Sequence, residues 1–265
     1  MKNLKPLIIT ATPNTCWLHP EIKYPLTTEE VVEEAVKCRE AGAAVLHIHS
    51  EGKFIPVAEG VRANTDMLLQ GGMSSIDLEG RRDMFLNGYD MISVTITHHS
   101  ENFKEVDIDM IHTQKEVEDY CIECKKFNMK PELEVWGTGS FYVIKKLEEK
   151  NLLEAPYIVT QFFGWPGGAW SPPTVEEYYY RRRLEPANAV CSNSLMHEDQ
   201  LKILVTAIMN GDNVRVGTED WPYDINGKPC AAYELVAQIA AISRSLGREV
   251  ATPEQAREIL GLQKK

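Results

Sequence analysis

Short apolar runs alternate with longer segments of helical period along almost the whole chain, and this alternation restricts the fold more than any other feature. Leu7–Thr12, Ala43–His49, Asp66–Gln70, Asp90–Thr97, Lys130–Trp136, Tyr157–Phe163, Ala187–Cys191 and Asn213–Gly217 read as strands. Helical period follows from Thr27 or Thr28 (the cap) to Ala41, then over Asp77–Asn87, Asp109–Phe127, Phe141–Lys150, Thr174–Arg183, Glu198–Met209, Ala231–Leu246 and Pro253–Leu260. Between His49 and Asp66 the period is poor, so the helix of the second unit is expected to be reduced. Repeated βα units of this number predict an α/β fold, a (β/α)8 TIM barrel, and 265 residues suit a single domain, 1–265, of that type. A doubly wound open sheet is the alternative, but no Gly-rich dinucleotide turn follows the first strand.

The charge balance, 39 acidic against 28 basic side chains for a net −11, argues against nucleic acid or an anionic membrane as a partner. It leaves room for a small anion bound by a local arginine cluster. The opening Met1-Lys-Asn-Leu-Lys-Pro is expected not to be a signal peptide, and Leu235–Ile242 is far shorter than the ~20 residues of a membrane span. Six cysteines are too sparse for a disulfide scaffold, so a cytoplasmic setting is expected. Cys121 and Cys124 form a lone C-x-x-C in a charged helical stretch and read as ordinary helix thiols.

In a barrel, chemistry gathers at the C-terminal ends of the strands. There the second strand reads Val45-Leu46-His47-Ile48-His49, and strand alternation points His47 and His49 to one side. Two imidazoles so placed can reach one metal. The eighth strand ends Val214-Arg215-Val216-Gly217-Thr218-Glu219-Asp220, where Glu219 can complete a two-His, one-carboxylate set suited to zinc. Arg215 and Asp220 form a charged pair beside it, or a salt bridge that closes the barrel. In Pro131-Glu132-Leu133-Glu134, both acids share a face. Glu134 is the better site candidate, and Glu132 reads as a buried residue paired with Arg or Lys. Gln161–Gly168 is a Gly-rich turn able to approach a ligand. His98 and His99 read as rim residues. Arg181-Arg182-Arg183 is the dense basic cluster, open to phosphates or simply a solvated helix end.

Together, Glu40–His49, Gln70-Gly71-Gly72, Pro131–Glu134, Gln161–Gly168, Val214–Asp220 and Gly247–Gly261 resemble the β-keto acid cleavage enzymes, nearly end to end. The resemblance implies a zinc-dependent TIM barrel, commonly tetrameric, that condenses a β-keto acid with acetyl-CoA to give acetoacetate and a new acyl-CoA. It implies His47, His49 and Glu219 as zinc ligands, Arg215 and Asp220 as a proton-transfer dyad supported by Glu134, and Ser93 as a hydroxyl holding the keto acid. Gly71, Gly72 and Trp17 are expected to face substrate. The chain departs from the family at substrate-facing loops. Leu69-Gln70 replaces a Ser-Thr pair, Asn14-Thr-Cys-Trp17 carries no acid where the type member reads an amine, and Ser192-Asn193-Ser194-Leu195 replaces a Gly-rich turn. Trp17, Leu69 and Trp165 suggest a pocket more apolar or aromatic than one built for an ammonium. A zinc-dependent barrel hydrolase or aldolase that uses no CoA is the alternative function.

Overall fold

The computed structural model describes residues 4–50, 52–103, 106–166 and 171–264; the side chains of His99 and Val106 lie outside the description. Along the chain come β1 (Ile9–Thr12), α1 (Thr28–Ala41), β2 (Val45–Ile48), α2 (Phe54–Asn64), β3 (Leu68–Gly71), α3 (Arg82–Leu86) and β4 (Met91–Thr95). A hairpin, β5 (His99–Phe103) and β6 (Val106–Met110), precedes α4 (Gln114–Lys126) and β7 (Lys130–Val135). Then follow α5 (Gly139–Glu149), β8 (Tyr157–Phe163), α6 (Val175–Arg182), β9 (Ala189–Leu195), α7 (Gln200–Asn210), β10 (Asn213–Gly217), α8 (Ala232–Ser245) and α9 (Pro253–Leu260). Parallel pairing closes a barrel in the order β1-β10-β9-β8-β7-β4-β3-β2, as the alternation predicts.

Alternation along each strand sorts side chains between two surroundings. Ile9, Ala11, Leu46, Leu69 and Leu133 point outward into the core shared with the helices. Leu69 therefore faces the helices and not the barrel interior. Inward, apolar residues come first and polar ones after: Val45 then His47, Leu68 then Gln70, Met91 then Ser93, Ile158 then Thr160. The apolar inward set packs with Ala256 and Leu260 of α9, which plug the N-terminal end of the barrel. A capping box, Thr27 with Glu30, begins α1, and Thr252 with Gln255 begins α9.

The second-unit helix is not reduced: α2 has 11 residues and buries Phe54, Val57, Ala58 and Val61. Pro56 stands in its first turn, where the missing N–H has no intrahelical partner to lose. A Cβ on Gly60 would lie 2.6 Å from Val32 Cγ2, so this glycine lets α2 approach α1. The economical unit is the third, whose α3 has only 5 residues instead of spanning Asp77–Asn87. Asp77 Oδ1 accepts from the Gly80 N–H at 2.8 Å and holds that segment in turns. The helix expected from Asp109 starts at Gln114, capped by Thr113, because Asp109 belongs to the hairpin. Ser192–Leu195 is not a turn but the second half of β9, paired along β8 from Thr160 to Phe163. Among the described residues no helix is long and apolar enough to cross a membrane.

Candidate metal centre and active site

β2 and β10 both flank β1, where Thr10 pairs with Val45 on one side and Arg215 on the other. The segments leaving β2 and β10 therefore meet above β1. His47 lies on β2, His49 just past it, and Glu219 just past β10. Their ligating atoms all fall within 4.8 Å of one another. His47 Nε2 stands 2.9 Å from His49 Nε2, and Glu219 reaches His49 Nε2 at 3.1 Å and His47 Nε2 at 3.5 Å. Burial, then the Arg215 charge, pushes the His47 pKa well below its usual value, so the ring is neutral. Burial alone would raise Glu219, but Arg215 and the two imidazoles hold it well below the carboxylate range. Two imidazoles and one carboxylate, converging within ligand distance, are a donor set that fits zinc.

The surroundings keep that space open. A Cβ on Gly72 would lie 2.6 Å from His49 Cδ2, 2.7 Å from His49 Nε2 and 2.8 Å from His47 Nε2. Asn14 clamps the His49 backbone, accepting its N–H at 3.0 Å on Oδ1 and donating from Nδ2 to its carbonyl. A Cβ on Gly217 would meet the Thr12 carbonyl oxygen at 2.2 Å, so glycine permits the close β1–β10 approach that carries Glu219 inward.

Arg215 lies beneath the triad. Its Nη2 contacts Asp220 Oδ1 at 3.0 Å and Glu219 Oε1 at 2.7 Å, and its Nε contacts Asp220 Oδ1 at 3.2 Å. The guanidinium also covers the Phe162 ring at 5.1 Å. Burial disfavours its charge, but Asp220 and Glu219 outweigh that and keep Arg215 a cation. Asp220 is pushed up to about 6 by burial against the pull of Arg215. Glu134 and Glu132 differ in surroundings despite sharing a face. Glu134 accepts from Thr95 Oγ1 and from Trp136 Nε1 at 3.3 Å and opens on the cleft. Glu132 is deeper; neither of its oxygens completes a hydrogen bond, and burial with the nearby Glu134 charge pushes it up to about 7. Its expected basic partner is Arg215, felt through space rather than by contact.

A cleft opens over His49, Glu219, Arg215 and Glu134. Trp17 stands on its wall, stacked on Phe103 at 5.6 Å and edge-on to His49 at 6.0 Å. Gly71 ends β3 and Gly72 follows it, and Gly71 lies against Met84, whose Sδ a Cβ would meet at 2.3 Å. Ser93 is fully buried inside the barrel and accepts from Gln70 Nε2 at 3.3 Å. In the Gly-rich turn, Trp165 reaches the cleft, whereas Gly167 and Gly168 lie outside the described residues. His98 accepts the His112 backbone N–H at 2.7 Å, away from the triad.

The β5–β6 hairpin was not foreseen. It brings Glu101, Phe103, Ile108 and Met110 to the cleft. A period-two pattern, Val106-Asp-Ile-Asp-Met110, signals it in the sequence. The basic cluster is neither a phosphate site nor a solvated helix end at Arg181. That side chain is buried, donates to the carbonyls of Phe162 and Trp136 at 3.0 Å each and to Ser171 Oγ, and pairs with Glu177. Arg182 pairs with Asp212. Cys121 and Cys124 are both buried in α4.

The sequence matches the model of a family described as beta-keto acid cleavage enzyme over residues 6–262. A 3-keto-5-aminohexanoate cleavage enzyme of Acetoanaerobium sticklandii is 29% identical over 256 residues, 91% of this chain and 92% of that protein. A 3-dehydrocarnitine:acetyl-CoA trimethylamine transferase of Rhizobium meliloti is 25% identical over 274 residues, 91% of each chain. Among solved structures, apo ObcA has the same fold, with TM-score 0.74 at 15% identity, over 90% of this chain and 65% of ObcA.

Proposed function

Because this chain belongs to the β-keto acid cleavage enzyme family and is a C–C-cleaving acyltransferase, we propose that it converts a β-keto acid and acetyl-CoA into acetoacetate and a new acyl-CoA, with zinc held by His47, His49 and Glu219. The observation that carries this reading is the convergence of those three buried ligands beside the Arg215–Asp220 pair, at the strand ends where barrel enzymes place their chemistry. Three relatives are named as transferases that use acetyl-CoA, one of them for 3-oxoadipate.

In the net reaction, the bond between the keto carbon and the CH2–COO⁻ unit breaks. That unit takes the acetyl group, and the remaining acyl group leaves on the CoA sulfur. A divalent ion in the triad supplies Lewis-acid polarisation of the keto oxygen, worth several kcal/mol in barrier. The protein's own groups do the rest. Arg215, fixed as a cation by Asp220 and Glu219, orients a substrate carboxylate. Asp220, held two-pronged by Arg215, is the acid–base group of the pair. Glu134 is fixed by Thr95 and Trp136 and faces the same cleft. Gly71, Gly72 and Trp17 shape the substrate space, and Ser93 supports it from within the barrel through Gln70.

The test combines metal analysis and product analysis on one preparation. Near one zinc per chain, with acetoacetate formed from at least one β-keto acid and acetyl-CoA, is the expected outcome. Acetate and free acid formed without acyl-CoA would instead identify a hydrolase.

A further inference from the structure

The two imidazoles of the triad are held by different means. His47 lies within β2, where it pairs with Gln70 of β3, and its side chain is 2% exposed. Its Nδ1 is buried without a hydrogen-bond partner. Strand pairing and packing are enough to fix that ring. His49 stands one residue beyond the strand, with its side chain 13% exposed, and depends on other tethers. Asn14 holds its backbone through both the N–H and the carbonyl. The ring itself is met at Nδ1, which lies 3.1 Å from Met73 Sδ.

Met73 follows Gly71-Gly72 and has φ +63, a left-handed conformation that side chains rarely adopt and that persists where the surroundings impose it. Glycine would make this turn without strain. The side chain is nonetheless present, half-buried on the cleft wall beside His49. It also packs on the core, but leucine would pack there as well and could not receive an N–H. A ligating imidazole typically donates its second N–H to an outer acceptor, which fixes the tautomer and the angle of the ring. Both Nε2 atoms of the triad face Glu219, so the proton of a ligating His49 belongs on Nδ1. Among the described residues the acceptor there is the Met73 thioether. We infer that Met73 is a positioning residue for the metal centre: its Sδ accepts the His49 Nδ1–H and leaves the Nε2 lone pair turned towards the metal. This rests on the zinc centre proposed above. It gives the turn after β3 two tasks at one imidazole, because Gly72 leaves room for the ring and Met73 holds it.

Zinc dissociation constants of the wild type, Met73→Leu and Met73→Gln, measured by chelator competition, test it. Thermal unfolding of the zinc-free proteins checks the fold, and acetoacetate formation from β-keto acids and acetyl-CoA is read separately. Leucine keeps the bulk and removes the acceptor, whereas glutamine brings a carbonyl oxygen on a chain of similar reach. Met73→Leu is expected to bind zinc about tenfold more weakly, the lower end of the effect of outer partners on metal affinity, because a thioether is a weak acceptor. Met73→Gln is expected to recover most of that loss, which a purely packing role would not produce. If Met73→Leu fails to fold, Met73→Ala takes its place with the same expectation. Zinc held by folded Met73→Leu as tightly as by the wild type, or by Met73→Gln as weakly as by Met73→Leu, overturns the inference and leaves the zinc centre and the reaction standing. A wild type that binds no zinc overturns both. Zinc affinity that follows the acceptor at position 73, with no acetoacetate from any β-keto acid, upholds the role of Met73 and overturns the reaction.

Discussion

Arg215 and Arg248 are each 2% exposed, yet they stand at opposite ends of the barrel and are neutralised in different ways. Arg248, at the N-terminal end, donates to the carbonyls of Lys5, Ile208, Gly211 and Asp212 at 2.6–3.0 Å. Its partners are backbone dipoles, so it ties the segments before β1 and β10 to α8, and burial lowers its pKa to about 10. Arg215, at the C-terminal end, faces two carboxylates and keeps its charge against burial. Charge against dipole holds a fold together; charge against charge, beside side chains able to ligate a metal and beside a cleft, is the arrangement expected where chemistry needs a retained charge. The same division runs through the barrel interior, apolar against α9 and polar towards the triad.

The sharpest break in this comparison is expected at the triad. His47→Ala or Glu219→Gln should reduce bound zinc from near one per chain to a small fraction, and lower kcat/KM by about a thousandfold or more, as several kcal/mol of lost barrier reduction imply. Metal analysis with steady-state kinetics checks both. The two arginines should then separate cleanly. Arg215→Lys should lower kcat by about a hundredfold with little change in Tm, because the two-pronged contact to Asp220 is lost while the cation remains. Arg248→Met should do the reverse, costing about 3 kcal/mol in denaturant unfolding by orphaning buried carbonyls while the folded enzyme stays active. Equal effects of the two variants on activity would erase the distinction. Gly72→Ala should lower zinc affinity by about ten- to a hundredfold, because the new Cβ intrudes on both imidazoles while the surrounding core is untouched.

The smallest effect concerns pH at the quiet end. Glu185, beside Cys191 and Asp212, is pushed up to about 7 by burial and then by the Asp212 charge. A carboxyl with a raised folded pKa binds its proton more tightly in the native than in the unfolded chain. It therefore removes stability as pH climbs from the unfolded value of 4.5 to about 7. Glu185→Gln should match the wild type near pH 4.5 and exceed it by about 1–2 kcal/mol at pH 8. Urea unfolding at the two pH values checks the sign; a variant less stable at pH 8 would refute it.

The sequence disclosed the barrel and the triad for a local reason. Alternation fixes which residues of a strand share a face, so His47 with His49, and Arg215 with the carboxylates just beyond it, could be read without knowing how the strands pair. Order along the strand likewise marked Glu134 as the site candidate and Glu132 as the buried one. What the sequence lacked was the surroundings: barrel register leaves Glu132 with unsatisfied oxygens near Arg215 and opens Glu134 on the cleft. Asn14 reaches the His49 backbone across 35 positions of sequence, which no spacing rule foretells. Pro56 disguised α2, and the charged residues of the β5–β6 hairpin blended into the helix that follows. Much of the cleft wall thus lies where local pattern is weakest, on loops and an added hairpin.

The most direct test of the proposed reaction uses acetyl-CoA carrying carbon-13 in its acetyl group. The enzyme is stripped of metal, resupplied with zinc, and mixed with a panel of β-keto acids with neutral, anionic and cationic tails. Label in the methyl and keto carbons of acetoacetate, lost on metal removal and restored by zinc, is the expected result. Unlabelled product, no acetoacetate from any member of the panel with zinc bound, or undiminished turnover by the metal-free protein would contradict it.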